Sequence, residues 1–423
     1  MTCASGSRKE CATWLSAVVL LAACSAGCGD PDGYSPELRY PVRTDPIIVK
    51  PPTTETAVPD RPGVLPIMNM LALNAPNHPL HSMLKDGPPL DPSVLAPNDR
   101  AVLQTTMDEL FGTPLVPRTA GPDAEFNLRL REELDQTDAK LATGSLLYRQ
   151  HCLHCHGLAG DGRGPTAFWI NPHPRDYRPG LYKFISISDP QGREMRASKE
   201  DLARTVRRGL DGTAMPAFST LSDEELSAIT AYVIHLSIRG EVELNSMKNF
   251  LTFPAGQRTW DNDKEMIQSW LPTSGDNWFS SQQGAVVTPK PYPKAYESEE
   301  GFAQSVKDGW DIFKTPGDKQ GGDCLKCHTD YGRKAQFRYD AWGTMVRPAD
   351  LTLGVYRGGR RPIDLYWRIH NGIAGSGMVR SPHFQPTTKD EIASGKDRLW
   401  SLVNFLQVLP YPAMREKYGI KID

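Results

Sequence analysis

Two copies of one short pattern constrain this chain more than anything else in it: Cys152-Leu153-His154-Cys155-His156 and Cys324-Leu325-Lys326-Cys327-His328. Cys-x-x-Cys-His is the attachment signal for c-type haem. Two thiols three positions apart, on an irregular turn leading into helix, reach the two vinyl groups of one haem. The adjacent imidazole then lies under the iron as its proximal ligand. Cys152, Cys155, Cys324 and Cys327 are therefore the candidate attachment thiols, and His156 and His328 the candidate proximal ligands. A zinc site of this type needs a second ligand pair in the same domain. A thioredoxin-like redox pair needs no trailing His and sits near a βαβ pattern. The chain has 8 Cys, and the other four, Cys3, Cys11, Cys24 and Cys28, lie at the extreme N-terminus. None is left for a disulfide framework.

The flanks of the two motifs repeat as well. Arg204-Thr205-Val206-Arg207-Arg208-Gly209 leads to Gly212 and Met215, and Trp367-Arg368-Ile369-His370-Asn371-Gly372 leads without a gap to Gly375 and Met378. Pro174-Arg175-Asp176-Tyr177 aligns with Pro348-Ala349-Asp350-Leu351, and Gly144 to Tyr148 aligns with Gly309 to Phe313. Each copy closes on an expected helix, Asp223 to Leu236 and Asp397 to Leu409. Repetition of a whole unit predicts two homologous domains, each with its own haem.

Each repeat resembles a class I cytochrome c domain: a first helix bearing an aromatic, the haem motif, a loop carrying Met, and a packed last helix. The resemblance implies an all-α fold, two tandem class I cytochrome c domains following a Pro-rich, largely irregular N-terminal segment, and two covalently attached haem c groups. Met215-Pro216-Ala217-Phe218 matches the family's distal-ligand motif, so the resemblance carries Met215 over as the sixth iron ligand. Gly160-Asp161-Gly162-Arg163-Gly164-Pro165 resembles the loop whose Pro carbonyl accepts a bond from the proximal imidazole, which gives that role to Pro165.

The second copy departs from the family pattern. Met378 is followed by Val379-Arg380, with Phe384 in place of Phe218, and no Pro follows His328 until Pro348. The repeat alignment favours Met378 as distal ligand, with His370, His383 and Met345 as competitors. Gly375 and Gly377, and the lack of a stiffening Pro, make the Met378 loop the one expected to open more easily. Trp169, Arg175, Tyr177, Trp342 and Arg347 are candidates for bonding haem propionates, although large aromatics more often simply pack. His173 and Met195 read as ordinary surface or core residues.

The N-terminus reads as an export signal. Arg8 and Lys9 precede an apolar stretch, Ala12 to Ala23, too short to span a bilayer. Leu21-Ala22-Ala23-Cys24 resembles the bacterial lipobox, which implies cleavage before Cys24 and a lipid on its sulfur. The expected organisation is a signal at 1–23, a Pro-rich tether or docking arm at 24–135, and cytochrome domains at 136–240 and 299–412. A linking segment, 241–298, joins them, and 413–423 is a tail. Within the arm, Val64 to Leu73 and Asn98 to Phe111 are the pieces expected to be ordered. Trp260, Trp270 and Trp278 fall in the linking segment, where packing between the haem domains is one option.

Net charge is −2 and pI about 6.6, which give no sign of a nucleic-acid partner. Iron with both axial positions filled by protein has no place for a substrate, so the expected role is electron transfer. The setting is an extracytoplasmic respiratory chain, on the periplasmic side of a bacterial membrane and held there by a lipid anchor. The expected partners are redox donors and acceptors, by analogy a membrane quinol-oxidising or oxygen-reducing complex. The alternatives are a dihaem peroxidase, in which one iron opens for peroxide, and a cytochrome subunit of a larger membrane complex.

Overall fold

The computed structural model describes residues 33–47, 90–189, 195–284, 286–319, 321–381 and 396–422. Cys24, Val64 to Leu73, His383 and Phe384 lie outside them. The described chain is all-α apart from one two-stranded hairpin, Arg338–Tyr339 (β1) with Met345–Val346 (β2).

Local chemistry sets the helix boundaries. Pro97–Phe111 (α1) opens on Pro, whose fixed φ suits a first turn. Ala124–Leu134 (α2) and Asp138–His151 (α3) are capped by Asp123 and Thr137. Lys199–Arg208 (α4) is capped by Ser198, and Asp223–Thr252 (α5) starts on a capping box of Ser222 and Glu225. Asp263–Gln283 (α6) begins at Asn262, whose side chain accepts from two backbone N–H groups. In the second repeat Glu299–Lys314 (α7) is capped by Ser298, and Pro362–Asn371 (α8) opens on Pro. Arg398–Val408 (α9) is capped by Asp397, and Pro412–Lys417 (α10) follows it.

Two hydrophobic cores form, one for each repeat. In the first, α3 crosses α5; in the second, α7 crosses α9. The crossings match residue for residue. Tyr148 meets Tyr232 at 5.3 Å between ring centroids, and Phe313 meets Phe405 at 5.5 Å. Gly144 and Gly309 sit at the points of closest approach, where a Cβ would collide with the carbonyl oxygens of Ala228 and Ser401. Gly309→Ala should therefore cost about 1–3 kcal/mol of stability, the scale of forcing a methyl into a filled site. Urea denaturation of the holoprotein measures it, and a midpoint within error of the parent would show that the helices separate freely.

Three expected boundaries are corrected by the packing. The 24–135 arm is not a free tether over its described length. Tyr40, Ile47, Leu103, Met107 and Phe111, with Phe126, Leu130 and Leu134 of α2, are buried in the first core. The ordered piece expected over Asn98 to Phe111 lies within α1. The linking segment 241–298 divides. Helix α5 runs on to Thr252, and α6 turns back onto α5, α1 and α2, burying Trp278 and Phe279 with Trp260 and Trp270 against the same core. Val287 and Tyr296 join the second core instead. The 413–423 tail belongs there too, because Tyr418 and Ile420 are buried in it. Apolar side chains spaced along helices are placed by the surface they can bury, and Pro-rich composition around them does not prevent it.

Candidate cofactor site

The first motif ends α3 and begins a one-turn helix, Leu153–His156. A cavity of about 810 Å³ opens beside it. Cys152, Cys155, His156 and Met215 all line this space, although Met215 lies far along the chain. No disulfide joins Cys152 to Cys155 or Cys324 to Cys327. Burial, reinforced by the Cys155 neighbour, pushes the Cys152 thiol up to about 12.

His156 is half-buried, and desolvation lowers its pKa to about 4, so the ring is neutral at pH 7. Its Nδ1 lies 3.1 Å from the carbonyl oxygen of Arg175 and donates to it. That bond fixes the tautomer and leaves the lone pair on Nε2, the nitrogen available to a metal. Tyr177 stacks on the ring at 4.8 Å between centroids. The second repeat repeats the device: His328 Nδ1 donates to the carbonyl of Ala349 at 3.1 Å, and burial again lowers the imidazole's pKa. Arg175 and Ala349 are the aligned residues of the two Pro-x-Asp loops. The role expected of Pro165 therefore falls to Arg175. Pro165 is exposed and outside the cavity lining, because its loop closes on itself through Gly164 N–H to the Cys155 carbonyl.

The two Met loops share one conformation. Gly209 and Gly372 end α4 and α8 at φ +67°, a backbone open to glycine. Leu210 N–H then donates to the Met215 carbonyl at 3.1 Å, and Ile373 N–H to the Met378 carbonyl at 2.9 Å. The hydroxyls of Thr213 and Ser376 bond the Leu210 and Ile373 carbonyls inside these loops. Met378 and Cys324 both pack against the second core, and the His328 ring lies 6.4 Å from that of Phe313. Of the competing distal residues, Met345 lines the first cavity, and His370 stacks on Tyr366 with Nδ1 2.8 Å from Asn371 Oδ1.

The lining fits a planar apolar group bearing carboxylates. Leu202, Val206, Ile229 and Val233 supply apolar wall. Seven basic side chains line the cavity against four acidic ones. Among the described residues three lining side chains have buried polar atoms without a protein partner: both ring nitrogens of His173, the Thr230 hydroxyl and the indole N–H of Trp342. Nothing in the local sequence sets His173 apart from an ordinary surface or core residue. Trp169, by contrast, is 80 % exposed and outside the cavity.

Arg43, Asp45 and Asp176 of the same lining belong to a buried ion network drawn from distant parts of the chain. Arg178 makes paired bonds to Asp45 at 2.8 and 2.9 Å and also holds Asp176. Arg43 bonds the same Asp45 at 2.7 Å.

Residues 139–233 match the protein family described as "Cytochrome C oxidase, cbb3-type, subunit III". No curated protein matches the chain. Among solved structures, a chain of the Kuenenia stuttgartiensis reducing HAO-like protein complex is similar at 20 % identity and a TM-score of 0.40. The match covers 63 % of this chain and 95 % of that one. A likeness at that score carries no argument about function.

Proposed function

We propose that this c-type cytochrome, whose residues 139–233 form a class I cytochrome c domain, carries two haem c groups and passes single electrons between redox proteins outside the cytoplasm. The repeated proximal geometry carries the reading: His156 to the Arg175 carbonyl, and His328 to the Ala349 carbonyl, at the same distance and the same aligned position. A second Cys-x-x-Cys followed by an imidazole with its pKa lowered by burial and its Nδ1 on a backbone carbonyl supports a second haem.

When bound, the haem iron supplies one-electron chemistry. The chain's own residues do the rest. Cys152, Cys155, Cys324 and Cys327 hold the groups covalently, and His156 and His328 offer Nε2. Met215 and Met378, on loops clasped by backbone bonds, would be the residues to hold the iron from the distal side. A filled distal side excludes substrate, which favours transfer over peroxide chemistry. Phe168 and Trp169, exposed side by side after the first motif, give a partner protein an apolar contact.

Among the described residues no helix is long and apolar enough to cross a membrane. The lipobox-like sequence at Cys24 supports attachment through a lipid, with a quinol-oxidising or oxygen-reducing complex as partner. Pyridine haemochrome assay of purified protein should give two haems per chain that survive acid–acetone extraction, because thioether bonds do not dissociate. A single haem would remove the second site from this reading.

A further inference from the structure

The cavity that holds the first Cys-x-x-Cys-His motif is not closed by its own repeat. Trp342, Thr344, Met345 and Val346, from the β1–β2 hairpin, line the same space as His156 and Met215, and Gly375 of the Met378 loop joins them. Two contacts across the repeats fix this wall. The Arg175 guanidinium carbon lies 3.6 Å from the centre of the Trp342 ring system. Lys183 Nζ lies 3.3 Å from Asp340 Oδ2.

Asp340 links the ion pair to the indole. Its side chain is fully buried, and its other oxygen accepts the backbone N–H groups of Trp342 and Thr344 at 3.1 and 3.0 Å. The ring is also held from behind, because a Cβ at Gly375 would collide with it, and Ala341 N–H bonds the Gly375 carbonyl at 2.7 Å. An indole fixed this firmly, with its N–H buried and without a protein acceptor, costs stability unless a ligand takes the hydrogen bond. The surrounding charge says what that ligand carries. Arg175 stands beside the indole with Lys183, which is paired with Asp340; of the four acidic lining residues, Asp45, Asp176 and Glu241 are bonded to Arg178 or Arg196, and Asp161 accepts the Arg163 backbone N–H. The acceptor that suits such a place is a carboxylate.

We propose that Trp342, a residue of the second repeat, donates its indole N–H to a propionate carboxylate of the haem held by the first repeat. The second repeat thereby completes the first repeat's cofactor site. The proposal rests on the two-haem reading above.

Trp342→Phe tests it, because phenylalanine keeps a ring over Arg175 and removes only the donor. The background is Met378→His, which marks the second haem by a lowered potential and a changed spectrum. In a spectroscopic redox titration, Trp342→Phe should lower the midpoint of the unmarked first haem and leave the marked one in place. Trp342→Gln, which restores an N–H donor, should return the first midpoint towards the parent value. A shift confined to the marked haem would mean that Trp342 serves its own repeat, and no shift in either would mean that it only packs; both overturn the proposal. Failure of the two-haem reading is distinct: one haem per chain by haemochrome assay, before any substitution at 342.

Discussion

Met215→Ala is expected to lower the midpoint potential of one haem by a substantial part of the roughly 0.8 V range that axial ligation commands. It should also create a site that binds CO in the reduced protein. Thioether ligation raises the potential of a His-ligated haem, and alanine offers no replacement sulfur. The effect should stay local, since the Leu210–Met215 backbone clasp and the Thr213 bonds do not involve the lost side chain. Met378→Ala should do the same to the other haem, because Ile373 and Ser376 hold its loop in the same way. The unaltered protein should bind CO poorly and turn over peroxide negligibly. Rapid CO binding to the native second haem, with peroxide consumption that Met378→Ala leaves unchanged, would replace electron transfer with the peroxidase reading.

The second large effect is expected at Asp45. Burial alone would raise its carboxyl pKa, but the guanidinium groups of Arg43, Arg178 and Arg163 outweigh burial and hold it well below the usual carboxylate range. Asp45→Ala removes the shared acceptor and leaves Arg43 and Arg178 buried with less compensation, a loss of about 3–5 kcal/mol. The sign with pH follows from the depressed folded value. The carboxylate's contribution is complete above the unfolded value of about 4 and is lost as pH falls from there through the folded value. Urea midpoints of the parent should therefore drop below about pH 4, and the Asp45→Ala protein should show a shallower drop from a lower plateau. Equal acid sensitivity in both would place the acid-labile group elsewhere.

How much of this was legible in the sequence depends on how far apart the partners lie. The haem motifs and the gap-free repeat from Arg204 to Met215 and from Trp367 to Met378 are local patterns, and they led directly to helices and loops of one shape. The carbonyl partner of His156 is Arg175 and not Pro165, the residue the family resemblance implies, because a backbone acceptor leaves no residue-type signature. The repeat alignment carries the clue, since Arg175 and Ala349 occupy matching positions in the two Pro-x-Asp loops. The Asp45–Arg178 pair joins an arm that reads as Pro-rich linker to a loop more than a hundred positions away, and nothing local to Asp45 marks it. The burial of α1, α2 and α6 escaped for a related reason: their apolar positions are few, and the surface they cover is assembled only once α5 extends past its expected end.

The wall that Trp342 lends to the first cavity also sets an order of manufacture. Cys152 and Cys155 leave the ribosome before residues 341–346, so during synthesis the first cavity lacks the wall that the hairpin supplies. A bulky planar group enters most easily during that interval, before the hairpin settles over it. A group tied down by thioether bonds at that stage cannot escape while the rest of the chain is still arriving. Thioether attachment at Cys152 and Cys155 would let the first half of the molecule hold the group until the second half arrives to close that side.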